Sequence, residues 1–217
     1  MHPMLRLYDD VLSSDAAGVA LPALPRMLFV AQGSAAIGAR AWHGGEAWSG
    51  EDAVTLTAGP EGATLWRWEL TGDGGSALLA GRGVVSREKL AAPLETLPKG
   101  RLLLRGDSVA FPPGGCAYLH RHQGPGIRCL FEGGIRIDTH GRSTSYGPGG
   151  AWFESGPDPV FAQAGDRPTR FVRVMILPVA YVGKSSVEYL NPEDKAKPKT
   201  QVYKIFADLP LTVEVGR

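Results

Sequence analysis

Gly114-Gly-Cys-Ala-Tyr-Leu-His-Arg-His-Gln-Gly-Pro-Gly-Ile-Arg128, continued at Gly147-Pro-Gly-Gly-Ala-Trp-Phe-Glu-Ser-Gly-Pro-Asp-Pro159, holds the only His-x-His of the chain. Glycine and proline cut this stretch into short runs, the punctuation of strands joined by tight turns. Side chains alternate along an extended strand, so Cys116, Tyr118, His120 and His122 are expected on one face and Ala117, Leu119 and Arg121 on the other. Two imidazoles two residues apart can both aim a ring nitrogen at one cation. The alternative is a pair of strand histidines at the wet mouth of a barrel.

The same punctuation runs through the whole chain, whose 29 glycines and 17 prolines sit singly or in pairs between short apolar runs. Its 217 residues suffice for one large all-β domain or two fused small ones. With 23 basic and 22 acidic residues the formal charge is +1, which leaves no electrostatic footprint for nucleic acid or a membrane surface. The expected partner is a small molecule. The two cysteines, Cys116 and Cys129, are expected on opposite faces of neighbouring strands and make no disulfide framework, as suits a reducing cytoplasm. The charged residues near the N-terminus precede no long apolar segment, so neither a secretory signal nor a membrane span is expected, and the protein is read as cytoplasmic.

Little pattern precedes Arg26 beyond Val19-Ala-Leu-Pro, and Pro22 and Pro25 suggest an extended arm that covers a sheet edge. Strands are expected at Arg26–Gln32, Ala35–Trp42, Asp52–Ala58 and Ala63–Leu70, the last two parted by a Gly59-Pro-Glu-Gly turn. Ser86-Arg-Glu-Lys-Leu-Ala-Ala-Pro-Leu-Glu-Thr-Leu97 has an N-cap serine and helix formers, which suggests a short connecting helix ended by Pro93. Strands resume at 101–105 and 108–111. The polar stretch from Lys184 reads as a solvated loop before final strands near 202–206 and 211–215.

An internal echo organises these pieces. Leu28-Phe-Val-Ala-Gln-Gly resembles Cys129-Leu-Phe-Glu-Gly-Gly, Gly45-Glu-Ala-Trp resembles Gly149-Gly-Ala-Trp, and Leu65-Trp-Arg-Trp-Glu-Leu resembles Phe171-Val-Arg-Val-Met-Ile. Three matches in one order point to a β-unit used twice. Nothing before Arg26 resembles His120-Arg-His122, so the first copy lacks the histidine strand.

At these residues the sequence resembles the cupin superfamily, whose fold is a double-stranded β-helix or jelly roll. Gly115, His120, His122 and Gly133 fit the frame of its first motif, and Gly149 to Val160 the frame of its second, with Phe171-Val-Arg-Val-Met-Ile-Leu-Pro as the following strand. The resemblance implies an all-β fold of two cupin-like β-units joined by a short helix: a degenerate N-terminal unit with its arm (1–75), a linker (76–100) and a C-terminal barrel with an extension (101–217). It departs from the pattern at the ligands. Gly126 stands where the first motif has its glutamate, Val160 where the second has its histidine, and Ala164 where the second has its asparagine.

The resemblance implies a metal site of His120 and His122, completed by Glu154, for one divalent ion (Fe, Mn, Ni or Zn) or none. The alternative for Glu154 is an ion pair. Arg128, by alternation from Gly126, faces the barrel, where a buried arginine needs an acidic partner or an anionic ligand. Tyr118, Cys116, Trp152 and Gln163 are the further candidates for contact with that ligand, and among Tyr146, Phe131, Phe153 and Phe161 some are expected to wall a pocket. The leading functional expectation is a barrel that binds a small organic anion. The alternatives are a metal-dependent oxygenase or isomerase acting on a small carboxylate, and a structural cupin, assembled as a homodimer through Trp42, Trp48, Trp66 and Trp68.

Overall fold

The computed structural model describes residues 2–72 and 77–212 and divides into two compact units. The first comprises Met1–Glu95 and the chain's end from Leu211; the second is Thr96–Pro210. Among the described residues no helix is long and apolar enough to cross a membrane.

The first unit is a seven-stranded antiparallel sheet of β1 (Met4–Leu12), β2 (Val19–Leu21), β3 (Arg26–Ile37), β4 (Arg40–His43), β5 (Ala47–Gly50), β6 (Val54–Thr71) and β7 (Val84–Pro93). Its long strand β6 runs through Gly59-Pro-Glu-Gly instead of turning there, and it pairs with β2 and the end of β3 on one side of Gly62 and with β1 and the start of β3 on the other. Gly62 has φ 75°, and a β-carbon there would lie 2.6 Å from the Leu12 carbonyl oxygen, so glycine is required where the strand changes partners.

Two expectations are corrected here. Met4–Leu12 is no edge-covering arm but an inner strand between β6 and β7. Residues 86–93, expected as helix, continue strand β7 against β1. Helix propensity lost because β1 has an open edge whose backbone groups need partners, and Val84-Val85 starts the segment as strand. The boundary between the units accordingly falls at Glu95, and β7 belongs to the first unit rather than to a linker.

One face of this sheet buries a charged network. Arg67 donates to Asp10 (2.6 Å) and to Glu69 (2.7 Å), Arg26 donates to Glu69 (2.9 Å), and the Ser86 hydroxyl bonds Asp10. The Arg67 guanidinium also lies 4.1 Å from the centroid of the Tyr8 ring. Around it Leu12, Val19, Leu28, Val30, Leu56 and Leu65 form an apolar cluster, with Trp42 and Trp48 packed partly buried against it. Trp66 and Trp68 are buried as well, so the four tryptophans do not form an exposed subunit face.

The second unit is a sandwich of two five-stranded antiparallel sheets. One has the order β13-β10-β15-β8-β17, with β8 (Leu102–Phe111), β10 (Gly126–Glu132), β13 (Ala151–Glu154), β15 (Thr169–Pro178) and β17 (Val202–Pro210). The other has the order β12-β11-β14-β9-β16, with β9 (Cys116–His122), β11 (Ile135–Thr139), β12 (Arg142–Tyr146), β14 (Val160–Ala164) and β16 (Val187–Tyr189). The inner faces enclose Val109, Phe111, Leu130, Ile137, Trp152, Val160 and Phe171. Strand β8 runs unbroken through Gly106-Asp107, and a short helix α1 (Pro192–Ala196) precedes β17. The final strand expected near 211–215 falls largely outside the described residues. Cys116 and Cys129 lie on strands of different sheets, not on neighbours, and neither forms a disulfide.

The two units share a strand register. Leu28 lies opposite both Trp48 and Arg67, and Arg128 opposite both Trp152 and Arg173. A register shift follows at the same distance in each, between Val30 and Gln32 and between Leu130 and Glu132. Leu28 therefore corresponds to Arg128, one residue from the Cys129 that sequence similarity suggests.

Replacing Arg67 by Met removes the donor that Asp10 and Glu69 share and leaves both carboxylates buried. We expect a loss of about 3–5 kcal/mol, read as a lower urea midpoint; a midpoint within error of the parent chain contradicts this account of the network.

Candidate functional site in the second barrel

The interior of the second unit draws a polar cluster from both sheets. His120 and His122 come from β9, Arg128 from β10, Glu154 from β13, and Arg173 and Asp107 from β15 and β8. Strand alternation brings them inward, but a bulge decides which neighbours follow. Val160 pairs with His120 and Ala162 with Ala117, so β9 takes one residue more than β14 between these points. The bulge turns Ala117, not Cys116, to the face of the histidines.

Sequence-expected site residues divide accordingly. His120, His122, Glu154, Arg128 and Trp152 come together. Tyr118 instead lies under the ammonium groups of Lys197 and Lys199, 4.9 and 5.5 Å from its ring centroid. Gln163 spends its amide on the backbone carbonyls of Gly114 (2.8 Å) and Ala164 (3.2 Å). Cys116 pairs with Gln163 in register and takes no part in lining the cavity. Tyr118 and Cys116 are turned from the interior because simple alternation from His120 does not survive the bulge, whereas Gln163 lies on the face opposite the inward Val160, Ala162 and Ala164 of its own strand.

Glu154 faces the interior and organises the cluster. One oxygen accepts from the Trp152 indole N–H at 2.8 Å; the other lies 2.8 Å from Arg128 Nη2, an ionic contact without hydrogen-bond alignment, and 3.3 Å from Nε2 of the neutral His122. Glu154 is the cross-strand partner of Gly126. At Gly126 itself no side chain fits, since a β-carbon would lie 2.4 Å from the Val174 carbonyl oxygen and 2.7 Å from Met175 Cγ. The carboxylate missing from position 126 is thus supplied by the strand beside it.

Arg128 has no exposed surface, and its Nη1 donates to the Gly126 carbonyl at 2.6 Å. Arg173, also buried, forms a two-point ion pair with Asp107 at 2.6 and 3.0 Å. Neither Arg173 nor Asp107 is among the residues expected from sequence; the available signal is Arg173 on the core-facing alternation of Phe171-Val-Arg-Val, which demands an acidic partner. His120 Nδ1 lies 2.7 Å from the Tyr118 carbonyl, to which it donates, leaving Nε2 turned inward, 3.2 Å from His122 Nε2.

The electrostatics follow from burial. It holds both imidazoles below their ordinary value, His122 well below, although Glu154 pulls the other way. Burial lowers Arg128 to about 10 despite the adjacent carboxylate. Burial alone would raise Glu154, but Arg128, His122 and Trp152 hold it well below the carboxylate range. The resting cluster therefore contains two arginines, two carboxylates and two neutral imidazoles.

This donor set does not fit a divalent metal. Val160, at the position of the second motif's histidine, is the buried cross-strand neighbour of His120 and presents only methyl groups to the cavity. The one carboxylate is engaged by an arginine, and a dication beside two buried guanidiniums would meet strong repulsion. Among the described residues no group of three or more His, Cys, Asp or Glu is arranged to hold a metal ion. Between the cluster and the apolar walls lies a cavity of about 20 Å³, room for about one water molecule, reaching from Ile137 and Phe171 to Tyr203.

Two outcomes are expected. Glu154→Ala leaves Arg128 unpaired inside the barrel and costs about 3–5 kcal/mol, measured by urea denaturation. Both histidines bind protons less readily folded than unfolded, so their contribution is complete above about pH 6.5 and is lost as the pH falls below it. Glu154, held below its ordinary value, adds a second loss below about pH 4.5. Replacing His120 and His122 together by Gln should remove the upper phase of the urea-midpoint profile and keep the lower one; an unchanged profile contradicts the assignment.

No family model and no curated protein matches the chain by sequence. Solved structures do match. A cupin 2 conserved barrel domain protein from Leptotrichia buccalis superposes with a TM-score of 0.51 at 10% identity, covering 81% of this chain and 84% of its own. Oxalate decarboxylase from Lactobacillus farciminis, in a formate complex, gives 0.66 at 13% identity over 91% and 82%. Salicylate 1,2-dioxygenase from Pseudaminobacter salicylatoxidans gives 0.54 at 11% identity over 94% and 75%. Such identities speak for the fold alone. With the two facing antiparallel sheets of the second unit, they show that this chain has the cupin jelly-roll fold.

Proposed function

We propose that the chain is a duplicated cupin whose second barrel binds a small organic anion, a short carboxylate, without a metal, while the first barrel is structural. The observation that carries this reading is a contrast between two buried charged networks. In the first unit no buried polar atom of Arg26, Arg67, Asp10 or Glu69 lacks a partner. In the second, Arg128 Nε and Nη2 and His122 Nδ1 are buried without a hydrogen bond, and His122 and Glu154, the ion-pair partner of Arg128, line a small cavity. Unmade hydrogen bonds on a buried guanidinium are costly unless something completes them.

Arg128 offers the donor suited to the task. Its Nη1 is committed to the Gly126 carbonyl and its Nη2 lies 2.8 Å from Glu154, which leaves Nε as the donor without a close partner. Glu154 already reaches Nη2, so an added anion brings a second negative charge to a balanced cluster. Proton uptake by an imidazole restores the balance, and anion binding is then coupled to it. The cavity, with room for about one water molecule, must open to take even a one- or two-carbon acid and excludes a large one.

A metal-dependent oxygenase or isomerase is the second reading, favoured by one observation. The hydrogen bond from His120 Nδ1 to the Tyr118 carbonyl frees Nε2 toward the interior, as second-shell partners do for metal-bound histidines.

Acetate titration followed by thermal unfolding tests the proposal. The parent chain should be stabilised, about 2.7 kcal/mol at a hundredfold excess over Kd, and more readily at pH 6 than at pH 8. Arg128→Met combined with Glu154→Leu removes the ion pair without leaving a lone charge and should abolish the effect while far-UV circular dichroism stays unchanged. Equal stabilisation of parent and double variant rejects the site. About one divalent ion per chain in untagged protein rejects the metal-free reading in favour of the second.

A further inference from the structure

The β11–β12 hairpin carries a groove that the interior cluster does not use. Its turn is His140-Gly141, with φ of 50° and 69°, the left-handed pair that a two-residue hairpin loop requires. From this turn, alternation sends Ile137 and Thr139 on β11 and Arg142, Thr144 and Tyr146 on β12 toward one groove. The inward face of a sandwich strand is ordinarily apolar, yet β12 presents an arginine and a threonine there and is exposed as far as Tyr146. The sequence Arg142-Ser-Thr-Ser-Tyr146 is written for a wet face.

Topology leaves that face uncovered. β12 is the edge strand of one sheet and β13 the edge strand of the other, and between them lies an open groove of about 370 Å³. This volume is within the range of small-molecule sites, unlike the interior cavity. Tyr146, Trp152 and Phe153 form its aromatic wall, and Tyr146 stacks on Trp152 with ring centroids 4.8 Å apart and planes inclined by 25°. Ile137 lines both the groove and the interior cavity and separates them.

Arg142 is the distinctive group. Arg136 on the facing strand is paired with Asp138 at 3.0 Å, and His140 lies 3.5 Å from Asp158. Arg142 has no acidic or carbonyl partner among the described residues, although it lines a groove with aromatic walls.

We propose that this groove binds an aryl carboxylate, with its ring against Tyr146, Trp152 and Phe153 and its carboxylate on Arg142. A flat ring adds to an existing aromatic stack, and a carboxylate matches the planar fork of the free guanidinium. Thr139 and Thr144 line the same wall, with the Thr139 hydroxyl donating to the Pro159 carbonyl at 2.8 Å. A neutral sugar would leave Arg142 without a counter-charge, and an aliphatic acid would forgo the ring contacts. The inference does not depend on the anion site at Arg128, and each can fail alone.

Benzoate titration by heteronuclear NMR at low salt is the test, with benzyl alcohol as the uncharged probe. Benzoate should bind saturably and shift resonances of Arg142, Thr144 and Tyr146, and more tightly than benzyl alcohol. Arg142→Ala, at an exposed position, should weaken benzoate about fivefold to tenfold and leave benzyl alcohol unchanged. Filling the groove by Thr144→Trp should weaken both. Absence of saturable binding, or equal benzoate affinity with and without Arg142, overturns the proposal. So does benzoate binding that survives Arg142→Ala but vanishes in the Arg128→Met, Glu154→Leu chain, since the ligand would then occupy the interior. Loss of acetate binding alone bears only on the interior site.

Discussion

The ion pair between Arg128 and Glu154 sets the terms for the second barrel. A guanidinium with no exposed surface is sustained only by a partner of opposite charge at close range, and Glu154 supplies it at 2.8 Å. The partner comes from the adjacent strand because Gly126 has no room for a side chain. Trp152 then anchors the second carboxylate oxygen, which places an indole between the charged interior and the groove outside. With the charges matched in this way, burial keeps His120 and His122 neutral and available as hydrogen-bonding groups rather than cations.

The same constraint explains why two units of one register have different interiors. Leu28 holds the position that Arg128 holds, since each faces a tryptophan and an arginine on its neighbouring strands. Two residues beyond the tryptophan stands Gly50 in one unit and Glu154 in the other. The first unit thus has neither half of the ion pair and carries its charges on Arg67, Glu69, Arg26 and Asp10, where every buried polar atom is satisfied. A charged network with complete hydrogen bonding rigidifies a fold; one with open donors is poised for something to complete it.

Much of the architecture was legible because strand periodicity and turn chemistry are local. Glycine spacing, the alternation through His120-Arg-His122 and the echo between Gly45-Glu-Ala-Trp and Gly149-Gly-Ala-Trp all indicated paired all-β units. The misread segments are those whose conformation depends on distant partners. Met4–Leu12, expected within an extended edge-covering arm, carries Arg6, Asp9 and Asp10 and becomes an inner strand where Arg67, 57 residues away, pairs with Asp10. Ser86 to Pro93 has helix-forming residues, but the open edge of β1 makes it a strand.

By itself the sequence determined the all-β class, the histidine strand and the inward placement of Arg128, since each rests on the two-residue period and on residue type. Only the tertiary structure decided what those residues face. A one-residue bulge in β9 turned Cys116 and Tyr118 away from the histidines, and register across β10 brought Glu154 to Arg128 and Val160 to His120. A bulge and a cross-strand register are properties of pairs of strands, and no single strand's sequence encodes its partner.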